Sequence, residues 1–61
     1  MPRELLRIPC SQAEIVLLKY PDERYQIDIY WSEAGYYETL LEATNNLDCT
    51  YRILGTVLIL C

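Results

Sequence analysis

Two runs of β-branched and aromatic residues, separated by a proline-led turn, constrain the fold of this chain more than any other feature. The first run covers residues 15–20 (IVLLKY) and the second covers residues 25–31 (YQIDIYW), with PDER (21–24) between them. Proline already has the φ angle that the first corner of a type I turn requires. The pattern predicts a β-hairpin with an even-numbered loop, which pairs Tyr20 with Tyr25.

Alternation of side chains along these two strands separates an apolar face from a mixed face. The predicted core face carries Val16, Leu18, Tyr20, Tyr25, Ile27, Ile29 and Trp31. The opposite face carries Ile15, Leu17, Lys19, Gln26, Asp28 and Tyr30. A competing hypothesis for residues 11–20 is a short helix, because residues 11–14 (SQAE) have the form of a capping box.

The segment after Trp31 is compatible with two structures. Ser32 is suited to cap a helix that ends near Asn46, and the composition of the segment favours helix. In the alternative, residues 32–35 (SEAG) form a hairpin turn with Gly35 in the left-handed region, and residues 36–43 form a strand. Residues 50–60 are apolar on both sides of a period-2 pattern, which predicts a buried strand.

Together these elements predict an α+β fold, a small β-β-α-β sheet with one helix packed on one face. The alternative is an all-β small barrel or meander. The 61 residues suffice for one domain (1–61), in which residues 1–10 are a short edge strand or an arm. One helix covers only one face of a sheet, so the mixed face is expected to expose apolar and aromatic side chains.

The chain contains three cysteines, at positions 10, 49 and 61, and no histidine. The odd count, the absence of C-x-x-C spacing and the lack of a signal pattern predict reduced thiols and a cytoplasmic location. Without histidine or a glycine-rich phosphate loop, we expect no enzymatic activity, no cofactor and no metal site. A small domain without disulfide or metal favours homo-oligomerisation. The most apolar run, residues 53–61, is too short to span a membrane as a helix.

Charge is distributed unevenly along the chain, whose net charge is −4. Residues 22–48 contain seven acidic residues and one basic residue, which gives −6, and the remainder carries +2. Acidic side chains repel phosphates, so direct nucleic-acid binding is disfavoured. The same charge suits a basic protein partner through electrostatic complementarity.

The sequence therefore predicts a non-enzymatic protein-interaction module. It would self-associate, or bind a protein partner, through the uncovered apolar and aromatic face of the sheet. The alternative is an acidic inhibitor or decoy of the nucleic-acid-mimic type, which blocks a basic nucleic-acid-binding protein or nuclease. Tyrosine is enriched at the energetic centres of interfaces. The candidate partner-binding residues are Ile15, Leu17, Asp28, Tyr30, Glu33, Tyr36, Tyr37, Glu38 and Glu42.

Overall fold

A computed structural model describes all residues, 1–61, as a four-stranded antiparallel sheet with one α-helix against it. The elements are β1 (Arg3–Pro9), β2 (Ala13–Lys19), β3 (Tyr25–Trp31), β4 (Tyr36–Thr44) and α1 (Leu47–Leu60). The strands lie in the order β1-β2-β3-β4, so each one pairs with its neighbour in the sequence. The predicted α+β class, with a single helix on a small sheet, is confirmed. No helix is long and apolar enough to cross a membrane.

The order of the elements differs from the expected β-β-α-β. Residues 36–44 form a strand, as the alternative for this segment predicted, and the turn before it places Gly35 at φ 73°. The N–H of Gly35 donates to the carbonyl oxygen of Trp31 at 2.8 Å and closes this turn. The expected strand over residues 50–60 is wrong, because these residues lie within α1.

The helix begins at a polar cap that its sequence supplies. The side chain of Asn46 accepts a hydrogen bond from the N–H of Cys49 at 3.1 Å, and Asp48 lies in the positively polarised first turn. One side of the helix packs against the sheet through residues at i, i+3, i+4 and i+7 spacing: Thr50, Ile53, Leu54 and Val57. Leu58, Ile59 and Leu60 add apolar residues outside this side of the helix. The segment therefore fitted the two-residue period of a strand as well as the period of a helix.

The β2–β3 hairpin forms as predicted, but its register differs by one residue. Lys19 pairs with Tyr25, so the loop contains the five residues 20–24 instead of an even number. Glu23 occupies the left-handed region at φ 69°, and its N–H donates to the carbonyl oxygen of Tyr20 at 3.1 Å. The expected pairing of Tyr20 with Tyr25 is therefore wrong.

This shift exchanges the two faces of β2 but leaves those of β3 as predicted. Ile15, Leu17 and Ile27 form the core beneath α1, with 2%, 9% and 0% of their surface exposed. Val16 and Leu18 lie on the opposite face. The expected placement of Ile15 and Leu17 on the uncovered face is wrong, because the centre of β2 is apolar on both sides and alternation alone does not orient it.

A disulfide bond joins Cys10, in the turn after β1, to Cys61 at the end of α1, across 51 residues of sequence. The expectation that all thiols are reduced is wrong for this pair, and Cys49 is the free cysteine. A cross-link over a loop of this length stabilises a fold by about 4 kcal/mol, mainly by restricting the unfolded chain. The disulfide thus adds stability to a fold whose core is small. The argument that this protein needs oligomerisation for stability assumed that no disulfide was present, so it no longer holds.

The register is tested by truncating two adjacent leucines. We expect Leu17→Ala to lower the free energy of unfolding by about 3 kcal/mol, because it leaves a cavity in the core. Leu18→Ala removes the same atoms from the partly exposed opposite face and should cost about 1 kcal/mol. Urea denaturation of both variants measures the difference. Equal losses, or a larger loss for Leu18→Ala, would contradict the observed register.

Candidate protein-binding face

The side of the sheet opposite α1 carries no second layer of structure. The protein measures 32 × 24 × 15 Å, and the smallest dimension corresponds to a sheet with a helix on one side. We call this uncovered surface the open face. Cross-strand pairing defines its residues as Glu4, Arg7, Pro9, Glu14, Val16, Leu18, Gln26, Asp28, Tyr30, Tyr37 and Thr39.

Arg7 organises one half of the open face. Its Nε and Nη2 atoms donate to the two carboxylate oxygens of Glu4 at 3.1 and 2.9 Å, a bidentate arrangement. Its Nη1 atom donates to Glu14 at 2.7 Å, and Nη2 also donates to the hydroxyl of Tyr37 at 3.0 Å. Because Arg7 lies on β1 and Tyr37 lies on β4, this last bond connects the two edge strands across the outside of the sheet.

Two tyrosine rings extend this cluster. The ring centroids of Tyr30 and Tyr37 lie 4.7 Å apart in a tilted arrangement. The guanidinium carbon of Arg7 lies 6.0 and 5.9 Å from the two centroids, at the limit of a cation–π contact. Val16, the cross-strand partner of Arg7, is only 1% exposed although no helix covers this side. Long side chains of the open face therefore shield its apolar centre.

The other half of the open face contains a short chain of hydrogen bonds. The hydroxyl of Tyr20 donates to the side-chain oxygen of Gln26 at 3.0 Å, and the Gln26 amide donates to Asp28 at 2.9 Å. Asp28 is 8% exposed, and no buried side-chain polar atom in the protein lacks a partner. The polar groups of the open face thus hold one another in defined orientations.

Hydrogen bonding between Arg7 and Glu4 favours the ionised form of both groups. The bonds from Arg7 hold the pKa of Glu4 below its usual value of 4.5. The bonds to Glu4, Tyr37 and Glu14, in that order, raise the pKa of Arg7. These charged side chains keep between 30% and 43% of their surface in contact with water, so solvent screens the pair. The pair therefore orients Arg7 more than it stabilises the fold.

The structure brings together only some of the predicted site residues. Asp28, Tyr30 and Tyr37 share the open face. Tyr36 and Glu38 are exposed on β4, but strand alternation directs them to the helix side, where Glu38 accepts a hydrogen bond from Trp31 at 3.0 Å. The remaining predicted residues are two exposed acids, Glu33 in the turn before β4 and Glu42 near its end, and the core residues Ile15 and Leu17.

Sequence reasoning missed Glu4, Arg7 and Glu14, which hold the tyrosines in place. Glu4 and Arg7 are three residues apart and share a side of the sheet because of the bulge between Glu4 and Leu6. Arg7 meets Glu14 across the β1–β2 pair and Tyr37 across the whole sheet, which local spacing does not reveal. The alternation of β3, which places Asp28 and Tyr30 on one side, was the available signal for the rest of the face.

Outside the open face, the protein offers few groups that could bind a metal ion or a ligand. No group of three or more His, Cys, Asp or Glu side chains is placed to hold a metal ion. Two apolar clefts flank α1, with volumes of about 330 and 300 Å³. The first is lined mainly by Leu17, Tyr25 and Leu54, and the second contains the disulfide and Trp31. The hydrogen-bonded polar and aromatic side chains of the open face are therefore the candidate site.

Comparisons with protein-family models, with curated proteins and with solved structures found no match to this chain.

The bond between Arg7 and Glu4 predicts a pH dependence. Because the pKa of Glu4 is lower in the folded protein, this bond contributes fully above about pH 4.5. The contribution is lost as the pH falls through the lowered value. We expect Arg7→Gln to raise the pKa of Glu4, as measured by NMR titration of its carboxyl carbon. Arg52→Gln, a charge removal on the helix, should leave that pKa unchanged, and an equal effect of both variants would contradict the assignment.

Proposed function

We propose that this protein is a non-enzymatic protein-interaction module that binds a basic protein partner through its open face. The observation that carries the proposal is the cluster of Arg7, Tyr30 and Tyr37, which is reachable from solvent. Hydrogen bonds orient Arg7 and Tyr37, and Tyr30 packs against the ring of Tyr37. Tyr37 keeps 54% of its surface exposed. Arginine and tyrosine are frequent anchors of protein interfaces, and side chains that are already ordered lose little entropy on binding.

Charge supports a basic partner over an acidic one. On the open face, three carboxylates face one guanidinium, since Glu4, Glu14 and Asp28 accompany Arg7. Strand β4, which contributes Tyr37 and Thr39 to this face, also carries the exposed Glu42 and contains no basic residue. A basic protein surface would meet favourable potential over this region, whereas a nucleic-acid backbone would be repelled.

Matched substitutions on the two sides of the protein test this proposal. We expect Arg7→Ala and Tyr37→Ala to reduce capture of a basic protein from native extract by about tenfold or more, because each removes an anchor. The controls are Arg52→Ala and Tyr51→Ala, which remove the same residue types from exposed positions on α1. Capture is measured by quantitative mass spectrometry at two salt concentrations, and higher salt should weaken it.

Two results would contradict the proposal. One is retention of the captured protein by both open-face variants. The other is an equal loss with the helix variants, which would place the contact elsewhere or indicate non-specific capture.

A second candidate function is self-association through the same face. The one-sided shape favours it, because two open faces in contact would complete a sandwich of two sheets. The excess of carboxylates on each face opposes it, so this association should strengthen with added salt, in contrast to binding of a basic partner. Sedimentation equilibrium over a wide concentration range tests it. A strict monomer at all salt concentrations would reject the homo-oligomer.

The acidic inhibitor or decoy is an alternative to the main proposal, because Glu33 and Glu38, on which it depends, lie outside the open face. The exposed positions of Glu33, Glu38 and Glu42 support it, because these acids could approach a groove that normally binds phosphates. A cytoplasmic location stays a prediction, and the Cys10–Cys61 disulfide removes the reduced-thiol argument for it.

A further inference from the structure

We propose that the disulfide between Cys10 and Cys61 is a redox latch, which holds residues 55–60 of α1 against the sheet and releases them when a thiol reduces it.

Residues 55–60 have little else to keep them helical and docked. Gly55 and three β-branched residues, Thr56, Val57 and Ile59, have low helix propensity. No basic residue lies in the last turn to offset its negative polarisation. Val57 is the only one of these six residues that is not exposed, and none of the four ion pairs involves α1.

The first half of α1 is attached by different means. Asn46 caps its start, and Thr50 is buried with its hydroxyl donating to the carbonyl oxygen of Asn46 at 3.1 Å. Ile53 and Leu54 pack against the core of Ile15, Leu17 and Ile27. Loss of the disulfide is therefore expected to free the second half of the helix while the first half stays on the sheet.

The bond is open to attack from solvent. Cys61 is exposed and Cys10 is partly exposed. A thiolate of a reductant attacks the Cys61 sulfur, the S–S bond breaks, and a mixed disulfide forms as Cys10 leaves as a thiolate. A second thiol of the reductant resolves that mixed disulfide, so the protein gains two electrons and two protons while the reductant is oxidised to a disulfide. Cys49 lies twelve residues before Cys61, about 18 Å along a helix, too far to act as the resolving thiol.

Release of the latch would uncover an apolar surface. The cleft of about 300 Å³ beside the second half of α1 has Ala13, Ile15, Ile29 and Trp31 on the sheet side, and Val57 and Leu60 on the helix side. Movement of the helix away from the sheet removes one wall of this cleft. Trp31 is the only tryptophan in the chain, so its fluorescence reports the change.

Hydrogen exchange measured by mass spectrometry tests the latch. The oxidised protein, the same protein in dithiothreitol, and Cys61→Ser are compared. Because loss of the link also lowers the stability of the whole fold, we expect the amides of residues 55–60 to exchange roughly tenfold faster or more after reduction and in Cys61→Ser, at labelling times over which those of β2 and β3 stay protected. Trp31 emission should shift to longer wavelength. The control Cys49→Ser should match the oxidised protein and respond to dithiothreitol in the same way.

Each other outcome would overturn the proposal. Unchanged exchange over residues 55–60 after reduction would mean that packing alone holds the helix. Exchange of β2 and β3 on the same time scale as residues 55–60 would mean that reduction unfolds the whole protein instead of releasing the end of the helix. Resistance of the folded protein to dithiothreitol, or a mass showing three free thiols in air, would exclude a latch at this position.

Discussion

The pairing of Lys19 with Tyr25 decides which side chains of this protein meet the helix and which meet solvent. Through this register, Ile15 and Leu17 join Ile27 beneath α1, and Val16 is left on the other side of the sheet. A shift by one residue would reverse every side chain of β2. The core, the position of the helix and the composition of the open face all follow from this one hairpin.

In a structure of one sheet and one helix, the apolar side chains on the outer face of the sheet must be shielded from water by other means. Here long polar and aromatic side chains accomplish this, because Arg7 reaches from β1 to Tyr37 on β4 and helps to leave Val16 almost inaccessible to water. The result is not the apolar patch that the sequence suggested but an ordered Arg–Tyr–Glu cluster. Such a cluster combines anchor side chains with low residual entropy, which is why a protein contact is the function that the geometry supports best.

The two sides of the sheet are built on different principles. The open face relies on hydrogen bonds within a rigid antiparallel surface, whereas the helix side relies on a modest apolar contact with a covalent link at one end. Half-exposed apolar side chains and two clefts along α1 indicate that packing there is incomplete. A covalent link matters most where packing is weakest, and for this reason the redox state of Cys10 and Cys61 bears on the helix more than on the strands.

From the sequence alone, the α+β class, the β2–β3 hairpin, the orientation of β3 and the position of Asp28 and Tyr30 on one face could be derived. These depend on local periodicity and turn chemistry. Only the tertiary structure decided the orientation of β2, the helix at residues 47–60, the disulfide and the central role of Arg7. In β2 both faces are apolar, and in residues 47–60 the apolar residues fit a strand as well as a helix, so local preferences left the alternatives nearly equal. Contacts between segments that are distant in the sequence then selected one arrangement, and the same kind of contact formed the disulfide and placed Arg7 beside Tyr37.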